Sequence, residues 1–117
     1  MKALIIDDEK DICFLLKDIL QQKNLYTACV NRLADAPAAL RTDHPAIVFL
    51  DNHLPDGYGV DFVDKIKLIS PTTRIVMITA HDSAEDKVIA MKKGVDVFLG
   101  KPFTKDAIGN AVDILCA

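Results

Sequence analysis

The chain contains no tryptophan, and only five glycines and five prolines among its 117 residues. That scarcity excludes collagen-like and Pro/Gly-rich low-complexity classes. Cysteine is also sparse: Cys13, Cys29 and Cys116 share no metal-ligand spacing and read as reduced thiols in apolar packing. No apolar run approaches the ~18 residues of a membrane span. The opening Met1–Asp8 runs straight into acids, with no secretory h-region, so a cytoplasmic compartment and no membrane partner are expected. A formal net charge of −3 offers no field for direct nucleic-acid contact. Neither Gly-x-Gly-x-x-Gly nor a Walker-type Gly-x-x-x-x-Gly-Lys-Ser/Thr occurs, so the chain lacks a nucleotide cradle.

What is present is regular. Half the residues are apolar and 26% charged, the balance of a folded domain rather than a disordered one. Short apolar runs alternate with helical patterns, the signature of βα units and a parallel sheet. Strands are expected over residues 2–6, 26–30, 47–50, 74–78 and 96–99, and helices over 10–23, 36–42, 59–69, 83–93 and 104–115. The first helix repeats Ile12, Leu15, Leu16, Ile19 and Leu20 at i, i+3, i+4, i+7 and i+8. Pro37 fits only the first turn of the second helix. Asn52–Gly57, with its Pro55-Asp56-Gly57, reads as a loop. Right-handed crossovers then favour an α/β fold, a doubly wound (βα)5 three-layer sandwich with sheet order 2-1-3-4-5.

Five polar residues stand where apolar runs end. Asp7 and Asp8 follow Ala3–Ile6, Asp51 follows Ile47–Leu50, Thr79 follows Ile75–Ile78, and Lys101 closes Val97–Gly100. In a parallel sheet all five converge on the carboxyl edge, where such folds bind ligands. Two carboxylates ~4 Å apart repel by about 4 kcal/mol at an effective dielectric near 20. Three in one crevice therefore call for a cation, and a hard, oxygen-liganded ion such as Mg²⁺ suits them. Without a nucleotide cradle, the economical reading is a small phosphoryl group held by metal, Lys101 and Thr79. Asp51, alone at its strand end, is then the candidate nucleophile.

These residues resemble the receiver domains of two-component response regulators, a flavodoxin-like family. The acid pair Asp7-Asp8, Asp51 with Leu54-Pro55-Asp56-Gly57 after it, Thr79-Ala80 and Lys101-Pro102-Phe103 occur in order and at strand ends across nearly the whole chain. The resemblance implies a receiver domain over residues 1–117 that catalyses only its own phosphorylation and dephosphorylation; it is either a single-domain regulator or relay protein or the N-terminal part of a longer regulator, and the weakly polar finish Ile114–Ala117 favours the second. Asp51 would take the phosphoryl group from a sensor histidine kinase, a phosphotransfer protein or acetyl phosphate. Asp8, Asp51 and the His53 carbonyl would ligate Mg²⁺, or Mn²⁺ in its place, with Asp7 acting through water. Lys101, Thr79 and the backbone N–H groups of Asn52 and Ala80 would hold phosphoryl oxygens, and the Lys101–Pro102 bond would be cis. Thr79 and Phe98 would form the switch. The face of the fourth helix, fifth strand and fifth helix would control an output domain or pair with a second copy.

His53 and His81 lie two residues beyond Asp51 and Thr79, where they are expected to tune the lifetime of the phosphoryl group with a dependence on pH. Two rival functions are a metal-dependent phosphohydrolase and an interaction module with a vestigial site. The hydrolase would place its nucleophile after the first strand and would need a cap for which 117 residues leave no room. All five site positions are filled, against the vestigial reading.

Overall fold

The computed structural model describes residues 1–116. Its elements run β1 (Lys2–Ile6), α1 (Lys10–Gln22), β2 (Tyr26–Val30), a 3-10 turn (Leu33–Asp35) and α2 (Ala36–Asp43). There follow β3 (Ile47–Asp51), β4 (His53–Leu54), β5 (Gly57–Tyr58), α3 (Gly59–Ile69), β6 (Arg74–Thr79), α4 (Ala84–Lys93), β7 (Val97–Gly100) and α5 (Lys105–Leu115). Five parallel strands form one sheet in the order β2-β1-β3-β6-β7, which is the expected 2-1-3-4-5 winding.

The central strands read as continuous apolar runs because both faces of the sheet are covered. Leu4, Ile6, Val48, Leu50, Ile75 and Met77 point to one side, where Leu40 of α2, Phe62, Val63 and Ile66 of α3 and Ala90 of α4 pack. Ala3, Ile5, Ile47, Phe49, Val76 and Ile78 point to the other, against Leu16, Ile19 and Leu20 of α1 and Ile108, Ala111 and Val112 of α5. Each fully buried large side chain contributes about 1.5–3 kcal/mol of transfer free energy. The site therefore rests on the rigid edge of a two-sided core.

Helix ends follow the side chains that can satisfy them. Ser83 accepts a bond from the Asp86 N–H at 3.1 Å, and Gly94 ends α4 with φ 106°. Thr104 accepts from the Ala107 N–H at 3.0 Å to start α5. Pro37 stands in the first turn of α2, as its missing N–H requires. Asp8 does not cap α1: Glu9 occupies that position and makes no side-chain cap.

Two readings need correction. Asn52–Gly57 is not a plain loop, since β4 and β5 pair as a small antiparallel hairpin, His53 opposite Tyr58 and Leu54 opposite Gly57. The turn chemistry of Pro55-Asp56 closes that hairpin, and segments this short leave no periodic trace in a sequence. The three cysteines are not all reduced. Cys13 and Cys29 are joined as a disulfide with their Cα atoms 6.3 Å apart, while Cys116 keeps a free thiol. A separation of sixteen residues gave no sign that the first turn of α1 meets the end of β2.

Candidate functional site

The strand order puts β1 and β3 side by side, with α1 and α3 leaving on opposite faces of the sheet, so a crevice opens at their carboxyl ends. Asp7 lies one residue past β1 and Asp51 is the last residue of β3; both are buried, whereas Asp8 is exposed. One oxygen from each of Asp7, Asp8 and Asp51 lies within 4.8 Å of the others. From β7, one strand beyond β6, Lys101 reaches back across the edge. Its Nζ is 3.0 Å from Asp7 Oδ2 and 3.6 Å from Asp51 Oδ2.

Gly59 fits this corner for a steric reason. A Cβ there would collide with the Asp51 carbonyl oxygen and crowd the Leu50 side chain. The Gly59 N–H donates to the Asn52 carbonyl at 2.9 Å, and the Val60 N–H donates to Asn52 Oδ1 at 2.9 Å. Asn52 is thus fixed from both ends, which sets the backbone that leaves Asp51. The His53 N–H donates to Asp51 Oδ1 at 3.3 Å. Asp7 Oδ1 accepts from the Glu9 N–H at 2.9 Å, which folds the acid loop back on itself.

One ammonium faces three nearby carboxylates, of Asp7, Glu9 and Asp51, and protonation follows from that imbalance. Burial pushes the Asp7 carboxyl above its ordinary value, although the Glu9 N–H and Lys101 pull the other way. Burial and then the Asp7 charge push Asp51 up as well, against Lys101. For Lys101, burial alone would favour loss of the proton, but the hydrogen bond to Asp7 and the charges of Asp7, Asp51 and Glu9 outweigh it and raise its pKa. The crevice holds an excess of negative charge that further positive charge would relieve. Its donors are carboxylate oxygens, the ligand type of hard divalent ions.

Thr79 ends β6, wholly buried, and its Oγ1 accepts the His81 N–H at 3.1 Å. Ala80 is exposed beside it. The His53 and His81 rings lean together with centroids 4.3 Å apart, and Tyr58 meets His53 edge-on at 5.3 Å. These three line a pocket of about 250 Å³ with Asn52, Met77, Asp86 and Ile89. Phe98 pairs with Met77 across β6 and β7 and is half-buried against the α4 side of the core. The Lys101–Pro102 peptide is cis.

The sequence-derived candidates therefore gather at this end of the sheet, except Phe98, which lies on β7, two strands from β3. Glu9 was missed: its carboxylate lies 3.6 Å from Lys101 Nζ. The third acid of the Asp7-Asp8-Glu9 run was the available signal. Tyr58 and Asp86 were also missed, since only the hairpin and the start of α4 bring them to the histidines.

Comparison with known proteins agrees with this geometry. The family model of the response regulator receiver domain matches residues 3–113. Response regulator protein PilR of Pseudomonas aeruginosa is 39% identical over 101 residues, 86% of this chain and 23% of that protein. Nitrogen assimilation regulatory protein NtrX of Azorhizobium caulinodans is 38% identical over 90% of this chain and 24% of its own length. The chain thus spans about a quarter of these relatives. Among solved structures, a two-component response regulator from Clostridium difficile superposes with a TM-score of 0.93 at 28% identity, covering 99% of this chain and 95% of that one. The beryllofluoride-activated NtrC4 receiver domain dimer gives 0.92 at 32%, covering 97% and 94%. The order of the strands, the acids at the switch point and the match across residues 3–113 make this chain a member of the response regulator receiver domain family.

Proposed function

We propose that this receiver domain is a phosphorylation-controlled switch whose acceptor is Asp51. The carrying observation is the convergence of Asp7, Asp8 and Asp51 within 4.8 Å, with Lys101 Nζ 3.0 Å from Asp7. An Asp51 oxygen attacks phosphorus, the bond from phosphorus to the donor breaks, and the electron pair leaves with the donor imidazole or acetate. Dephosphorylation reverses the charge flow: water attacks phosphorus, and the Asp51 carboxylate and inorganic phosphate are released.

Asp8, Asp51 and the His53 carbonyl would hold Mg²⁺, with Asp7 acting through water; Mn²⁺ would serve in the same site. The ion supplies charge neutralisation to the transferring oxygens. Lys101 pairs with one phosphoryl oxygen, the Thr79 hydroxyl donates to another, and the Asn52 and Ala80 N–H groups donate to the remainder. Electrostatic stabilisation by these groups, fixed before reaction, carries the rate. The chain therefore processes its own phosphate and is not an enzyme with an external substrate.

His53 and His81, whose rings lean together two residues beyond Asp51 and Thr79, screen the acyl phosphate from water and set its lifetime. Removing both as His53→Ala/His81→Ala is expected to change the dephosphorylation rate several-fold; an unchanged rate contradicts that role. Movement of Thr79 toward the phosphoryl group leaves room that Phe98 fills, and this remodels the face of α4, β7 and α5. Val88, Ile89 and Met91 are exposed on α4 and offer apolar side chains to an output domain or a second copy. The phosphodonor is a sensor histidine kinase or phosphotransfer protein, and the domain is the receiver portion of a longer regulator.

Incubation with acetyl phosphate and Mg²⁺, followed by intact mass, tests the reading. Wild type is expected to gain one phosphoryl group and Asp51→Ala none. Rapid turnover of varied phosphoesters would instead favour a hydrolase, and no modification would favour an interaction module.

A further inference from the structure

Beyond the acid crevice, chemistry-bearing side chains also meet at the corner between α1 and the end of β2. Cys13 lies in the first turn of α1 and Cys29 is the penultimate residue of β2. Their Cα atoms are 6.3 Å apart, within the Cα range of disulfides. Cys29 is exposed and Cys13 half-buried, so solvent-borne oxidants and reductants reach the pair. The side-chain amide of Asn31 sits against both, its Nδ2 3.9 Å from each sulfur. The same Nδ2 donates to the Asp7 carbonyl oxygen at 2.9 Å, and the Cys13 sulfur lies 3.4 Å from that oxygen. The Asp7 N–H donates to the Val30 carbonyl at 3.1 Å. The Cys13 sulfur thus lies against the backbone of Asp7, the residue whose carboxylate Lys101 holds, and Asn31 links the Cys29 sulfur to the same carbonyl.

We propose that Cys13 and Cys29 are a reversible thiol-modification site, oxidised by a peroxide and reduced by a dithiol, that tethers the acid loop of residues 7–9 to the edge strand. Cys29 gives up its proton and the exposed thiolate attacks a peroxide oxygen; the O–O bond breaks, a sulfenic acid forms, and the departing hydroxide takes up that proton as water. Cys13 sulfur then attacks the Cys29 sulfur, its proton leaves with the hydroxyl as a second water, and the S–S bond closes. Two electrons pass from the thiols to the peroxide. Reduction runs by thiolate attack of an external dithiol on one sulfur, through a mixed disulfide. The open form frees α1 from β2 at one point, and the closed form holds the Asp7 peptide between them.

The test counts thiols in the full chain and does not depend on whether Asp51 accepts a phosphoryl group. Reduced protein is expected to take three maleimide labels by intact mass, matching the three cysteines. After hydrogen peroxide it should take one label, on Cys116, and a dithiol should restore all three. With Cys13→Ser, peroxide and dimedone should yield an adduct on Cys29, whereas Cys29→Ser should yield none on Cys13. Amide hydrogen exchange at Asp8 and Glu9 should slow in the oxidised wild type. Three labels after peroxide, or loss of labels through dimers joined at Cys116, would overturn the site; identical exchange in both states would overturn its tie to the acid loop.

Discussion

Lys101 is one ammonium among Asp7, Asp51 and the exposed Glu9, and most of what the crevice does follows from that ratio. Because burial and the Asp7 charge raise the Asp51 pKa, the folded state binds that proton more tightly than the unfolded chain does. The stability this contributes is present below the ordinary carboxylate value and is lost as pH rises through the raised one. At neutral pH the charged Asp51 is therefore a cost. Asp51→Asn should stabilise the fold at pH 7 by about 1 kcal/mol, a Tm rise of roughly 4 °C in a domain of this size. Thermal melts across pH check the sign: the advantage should shrink as the solution is acidified and Asp51 of the wild type takes up its proton. Lys101→Met should do the opposite, destabilising by roughly 2–4 kcal/mol because the buried acids lose their fixed counter-charge. Urea unfolding of the two variants should move the midpoint in opposite directions.

Elements place these residues, and their boundaries explain what could be read in advance. The strands and their order were legible because runs such as Ile47–Leu50 are apolar on both faces, which only a covered parallel sheet satisfies. Asp7, Asp51, Thr79 and Lys101 were legible for the same reason, as the first polar residues after the apolar runs end. The β4–β5 hairpin, Tyr58 and Asp86 were not, since their proximity comes from two-residue pairing and a helix start rather than from any period. The Cys13–Cys29 link was hidden likewise, because an edge-strand residue and a helix residue share no spacing rule. At this scale Gly59→Ala should cost about 1–3 kcal/mol, since the new methyl meets the Asp51 carbonyl and the neighbouring Leu50 side chain. The same substitution should slow acceptance at Asp51 by displacing the backbone that leaves it. Ser83→Ala should cost about 1 kcal/mol through loss of the α4 cap and leave acceptance unchanged. Denaturant melts alongside acetyl phosphate labelling separate the two.

For the whole molecule, two apolar layers hold one sheet rigid while its carboxyl edge carries an unbalanced charge. Relief of that imbalance by ligand is the proposed source of switching. Mg²⁺ should accordingly stabilise the fold by linkage, about 2.7 kcal/mol at a hundredfold excess over its Kd. The increment should fall away in Asp8→Asn and Asp51→Asn, as seen by melting temperature with and without the ion. The central claim is that the phosphoryl group resides on Asp51 itself. Tandem mass spectrometry of peptides from protein treated with acetyl phosphate and Mg²⁺ tests it most directly. One phosphoryl group on Asp51 is the predicted result; a phosphoryl group on His53 or His81, or none on any peptide, would contradict it.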